Sequence, residues 1–91
     1  MEDKLMKVYR KVFPKPTDLV EYLSYNNDGE FLTIAPDYNC FIDIYEKWGE
    51  DISDDDLDEF DLSILMIMSI DLLNCGYKVE IKKYSLTAIK K

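Results

Sequence analysis

Residues 31–48 read FLTIAPDYNCFIDIYEKW, and the way this stretch folds decides the architecture. Phe31–Ala35 reads as a strand because β-branched and aromatic residues suit a pleated, half-buried surface. Pro36-Asp37-Tyr38-Asn39 suits a four-residue hairpin loop, with proline pre-setting the first turn residue. Cys40–Tyr45 is then the returning strand. In that register Leu32 and Ile34 share a face with Cys40, Ile42 and Ile44, while Phe31, Phe41 and Tyr45 point the other way. A competing period runs through the same residues: Tyr38, Phe41, Ile42, Tyr45 and Trp48 make a helical stripe ending at Gly49. The Pro-Asp turn and the β-branched content favour the hairpin.

Upstream, Leu5, Val8, Tyr9, Val12 and Phe13 recur at helical spacing within residues 3–13, opposite Lys4, Lys7, Arg10 and Lys11. The residue types suit a strand as well, but the spacing favours a helix, which Pro14 and Pro16 stop. Thr17 is an N-cap for a short second helix through Tyr25, with Leu19, Val20 and Leu23 inside, and Asn26-Asn27-Asp28-Gly29 is a turn. Downstream, Ser53 caps a long helix from Asp54 to Asn74, with Gly76 placed as its terminating glycine. Leu57, Phe60, Ile64, Leu65, Met68 and Leu72 form its inner stripe. Beyond Leu62 that helix is apolar almost all round, which predicts a place in the core or at an oligomer contact. Tyr77, Val79 and Ile81 alternate with Lys78, Glu80 and Lys82 in a final strand, and Lys90-Lys91 reads as a frayed tail.

The order is helix (or strand), helix, strand, strand, helix, strand. It predicts one α+β domain over residues 1–91, a small sandwich whose short, mainly antiparallel sheet is covered by two or three helices. With an N-terminal strand the order becomes β-α-β-β-α-β, that of the ferredoxin-like fold.

Charge is segregated along this framework. Residues 17–62 hold fifteen of the nineteen acidic side chains and one basic residue, Lys47, whereas both flanks carry a basic excess. The densest part is Glu50–Asp61, where eight of twelve residues are acidic. The helix dipole explains Asp54, Asp55 and Asp56, since anions stabilise a first turn, but not the rest of the run. On the helix, Asp54, Asp58 and Asp61 share a face, with Leu57, Phe60 and Ile64 inward. An EF-hand fails on spacing: counting from Asp54 puts Glu59 at the glycine position and Leu65 at the twelfth, and counting from Asp51 puts Leu62 there. No metal and no cofactor are therefore expected.

There is no histidine, so Ser-His-Asp and Cys-His arrangements cannot form. Cys40 shares parity with apolar residues and reads as core. Cys75 ends a helix, away from the dipole that would activate a thiol, and two free thiols suit a reducing compartment. Gly29, Gly49 and Gly76 stand alone, so no phosphate-cradling loop exists. No enzymatic activity is expected. Asp58–Ile81 superficially resembles the acidic helix of acyl carrier proteins, but that family attaches its prosthetic group within Asp-Ser-Leu. Here the order is Asp61-Leu62-Ser63, so that function is not carried over.

A net charge of −8 opposes approach to phosphate backbones, so direct nucleic-acid binding is not expected despite the basic flanks. The longest apolar run is too short to cross a bilayer, and no signal-like segment follows Met1, which together predict a cytoplasmic protein without membrane association. The expected function is binding to a basic protein partner. Its most concrete form is a stoichiometric inhibitor covering a nucleic-acid-handling surface, as in toxin-immunity or phage anti-defence proteins. Tyr45 and Trp48 would anchor the contact, and Glu50, Asp51, Asp54, Asp55, Asp58 and Glu59 would steer it. The alternative is a homo-oligomeric structural or regulatory subunit, most simply a homodimer, joined through the apolar surplus at 62–73 or the Phe31, Phe41 and Tyr45 face.

Overall fold

The computed structural model describes residues 2–25 and 30–91. The turn expected at 26–29 lies outside the described residues. Among the described residues, four helices and three strands follow in order: α1 (Glu2–Val12), α2 (Pro16–Ser24), β1 (Phe31–Ile34), α3 (Asn39–Trp48), α4 (Asp54–Asn74), β2 (Tyr77–Lys82) and β3 (Ser85–Lys90). The sheet is antiparallel, in the order β1-β3-β2. Helices cover one of its faces: Leu32, Ile34, Leu86 and Ala88 are buried, while Phe31 and Ile89, paired across β1 and β3, are exposed. This is the expected α+β class with a different order of elements, and the ferredoxin-like alternative falls with α1 being helical.

The main correction lies in residues 39–48, which form α3 rather than a returning strand. Cys40, Phe41 and Ile44 are buried together, at helical spacing, and Ile42 is half exposed on the other side. An alternating strand would have put Ile42 beside Cys40 and Ile44. Burial against the core, not β-propensity, decided the element. Pro36 and Asp37 still turn the chain, but into a helix, and Gly49 ends that helix with φ +76°, a conformation that disfavours any side chain.

The sheet's hairpin is β2–β3. Lys82 pairs with Ser85 across a two-residue turn of Lys83 and Tyr84, with Tyr84 at φ +62°. Lys90 is therefore no frayed tail: its N–H donates to the Glu30 carbonyl at 2.8 Å, and Lys91 N–H donates to that of Gly76 at 3.3 Å.

The cap of α2 also moves. Lys15 precedes the helix and Pro16 opens it, a place where the missing N–H costs nothing. Lys15 N–H donates to Asp18 Oδ2 at 2.9 Å, and Asp18 N–H donates back to the Lys15 carbonyl at 3.0 Å. By contrast, α4 starts after Ser53, ends at Asn74 and is followed by Gly76 at φ +88°, as expected.

The core gathers Tyr9, Leu19, Leu23, Leu32, Ile34, Phe41, Ile44, Ile64, Leu65, Met68, Leu72 and Leu86. α4 is its centre and packs on α1, α2, β2 and β3. One polar clamp pins α1 to it. Arg10 Nη1 and Nη2 donate to Asp71 Oδ2 and Oδ1 at 2.9 and 2.6 Å, and Asp71 is fully buried. Among the described residues, no helix is long and apolar enough to cross a membrane.

Candidate acidic docking face

The acidic run occupies the junction between α3 and α4. Gly49 turns the chain out of α3, Glu50 and Asp51 sit in the connection, and Asp54, Asp55, Asp56, Asp58 and Glu59 fill the first two turns of α4. All seven are exposed. They crowd one end of the molecule because the α4 dipole accepts anions there and because burial of Phe60 fixes the helix's rotation.

The aromatic side chains beneath them form a packed stack. Trp48 meets Phe60 edge-on at 5.0 Å between ring centroids, and Tyr45 lies 5.7 Å from Phe60. Trp48 and Phe60 floor a shallow hollow of about 280 Å³ whose rim carries Glu50, Asp51 and Asp56. Lys4, from α1, reaches the same place. Its ammonium donates to Glu50 Oε1 at 2.7 Å and sits 4.2 Å from the centre of the Trp48 ring. The chain thus holds a lysine of its own against the aromatic and acidic groups expected to receive a basic partner.

The expected site residues separate into two groups. Glu50, Asp51, Asp54, Asp55, Asp58 and Glu59 share the exposed junction, with Trp48 half-buried at its edge. Tyr45 is held back: its hydroxyl donates to Asp61, and its ring packs against Phe41 and Phe60. Asp61 does not join Asp54 and Asp58 on an outer face, since it is only 6% exposed. Burial raises the Asp61 carboxyl above its ordinary range, the Tyr45 hydrogen bond opposes the shift, and the nearby Asp58 charge adds to it. Burial, and then the bond to Asp61, push the Tyr45 phenol well above the usual tyrosine range.

Smaller contacts order the run. Ser53 Oγ donates to Asp56 Oδ2 at 2.8 Å, and Tyr84 Oη donates to Asp58 Oδ2 at 3.3 Å. The sequence pattern put Lys4 on a helix face and Asp56 in a helix's first turn, gave Tyr84 no role, and placed none of the three in the site. Lys4 is 46 residues from Glu50 and Tyr84 is 26 from Asp58, and no local periodicity links such pairs. Among the described residues, no three Cys, Asp or Glu side chains converge as a metal set. Cys40 is buried, and burial pushes its thiol up to about 12, away from nucleophilic use at neutral pH. Compared with known proteins, the chain matches no family model, no curated protein and no solved structure.

Proposed function

We propose that this chain is a small acidic protein-binding protein without catalytic activity of its own, acting in the cytoplasm. Its α3–α4 junction docks on a basic protein surface, most concretely as a stoichiometric inhibitor covering a surface that handles nucleic acid. Toxin-immunity and phage anti-defence proteins work in this way. One observation carries the reading: seven exposed carboxylates crowd the α3–α4 junction, Glu50, Asp51 and Asp56 of them rim an aromatic-floored hollow, and the chain's own Lys4 is seated there against Trp48 and Glu50. Lysine or arginine side chains of a partner would meet the same chemistry, with charge speeding encounter and Trp48 adding contact area.

The test uses the triple reversal Asp55→Lys, Asp58→Lys and Glu59→Lys, at exposed positions that leave the core intact. Wild-type chain should capture a basic protein from the native host at low salt and lose it at high salt. The triple variant should slow association with that protein by about a hundredfold or more. Normal association of the variant would make the acidic run a solvated face and end the proposal.

A further inference from the structure

We infer that the outward face of α4 binds a second copy of this chain, the two α4 helices lying antiparallel. Leu62, Met66, Ile70 and Leu73 are each between 41% and 54% exposed and are spaced by four, four and three residues, which aligns them along one line of the helix. Met6 of α1 extends the patch, and with Leu5, Ser63, Met66, Ile67 and Ile70 it lines a groove of about 240 Å³ between the two helices. Single exposed apolar residues are ordinary on a protein surface; a continuous stripe of this kind marks an interface. Folding does not account for it, because the core uses the opposite side of α4, through Ile64, Leu65, Met68 and Leu72.

Charge along α4 identifies the occupant. Asp55 and Glu59 continue the outward line toward the N-terminus. Basic groups lie toward the other end, on the neighbouring helix. Lys7 and Lys11 are exposed on α1, which is clamped to the C-terminal half of α4 by Arg10 and Asp71. The helix is therefore acidic at one end, apolar at its waist and flanked by bases at the other. A parallel second copy would set acid against acid. An antiparallel copy matches the waist and both ends at once, by two-fold symmetry, and also opposes the helix dipoles favourably. In that arrangement Leu62 faces Leu73 and Met66 faces Ile70 of the second copy. The two readings share Asp55 and Glu59, and the test of this one uses the purified chain alone, with substitutions that leave the acidic run intact.

A patch confined largely to one helix gives a weak dimer, with a dissociation constant on the order of 10 µM. Sedimentation velocity over a hundredfold concentration range around that value should show a monomer–dimer equilibrium. The double variant Met66→Glu, Ile70→Glu should weaken it by about a hundredfold with the helical circular dichroism unchanged. Ile70→Ser, a milder change, should weaken it about tenfold and serves if the double variant does not fold. Orientation is read by oxidising a mixture of Leu62→Cys and Leu73→Cys chains, both carrying Cys75→Ser. The mixed disulfide should predominate over the two symmetric ones. A wild-type monomer throughout the range, a dimer untouched by these substitutions, or a predominance of symmetric disulfides would each overturn the inference.

Discussion

Arg10 on α1 holds Asp71 on α4 through two parallel hydrogen bonds, and Asp71 is fully buried while the arginine side chain is one-third exposed. The pair supplies a bidentate ion contact between the last turns of the two helices. Arg10 Nη1 also donates to the Phe13 carbonyl at 3.2 Å, tying off the end of α1 where Pro14 prevents continuation. Removing one partner differs from removing both. Arg10→Ala leaves a buried carboxylate uncompensated and should cost about 3 kcal/mol in urea unfolding. Arg10→Met combined with Asp71→Leu should cost clearly less than the single arginine change, and a double-mutant cycle measures the coupling.

Asp61 reports on pH in the opposite sense from an ordinary salt-bridged acid. Its folded-state pKa is raised, chiefly by burial, so the folded chain binds that proton more tightly than the unfolded chain. The stability it contributes is fully present below its unfolded pKa and is lost as pH rises through the raised folded value. Asp61→Asn, which can still accept from Tyr45, should therefore exceed wild type in stability at neutral pH, with the gap closing on acidification. Tyr45→Phe strips the buried carboxylate of its donor and should cost about 1–3 kcal/mol at neutral pH.

Tyr9 and Tyr45 set the alkaline limit. Tyr9 is fully buried, and burial holds its phenol far above the ordinary value, with Asp71 adding to the effect. Both phenols stay protonated in the folded chain, whereas the unfolded chain releases those protons near pH 10. Stability is then present below that pH and falls as pH rises above it. Phenolate absorbance should show a cooperative step that coincides with loss of helical circular dichroism.

The two thiols should differ in reach. Cys40 is buried in the core with its thiol pushed up to about 12, and half-buried Cys75 is raised more modestly, by burial and the nearby Asp71 charge. Ellman's reagent should label one thiol slowly in the native protein, and the second only when denaturant unfolds the chain. Prompt labelling of both would contradict the burial of Cys40.

Sequence legibility followed the range over which each signal acts. The bounds of α4 were readable because Ser53, the spacing from Leu57 to Leu72 and Gly76 all lie within the helix or at its ends. The same holds for β2, whose alternation is local. Residues 39–48 misled because Cys40, Phe41, Ile42, Ile44 and Tyr45 have strand-like side chains, and what makes them helical is contact with α1. Ser85–Lys90 was missed because Lys83 and Tyr84 lack the Asn-Gly chemistry that usually announces a two-residue hairpin. The acids of the candidate site were legible from composition alone. The engagement of Tyr45 by Asp61 and of Trp48 by Lys4 was not, since both depend on helices brought together by folding.

The order β1-β3-β2 places the latest of the three described strands in the middle of the sheet. Until residues 85–90 emerge, Phe31–Ile34 and Tyr77–Lys82 have no partner between them, and each presents unpaired edges. A nascent chain halted at Lys82 holds all four helical segments but no sheet to pack them on. A single late segment therefore zips two earlier ones together, and ribosome stalling just before it would expose the most adhesive form of the protein.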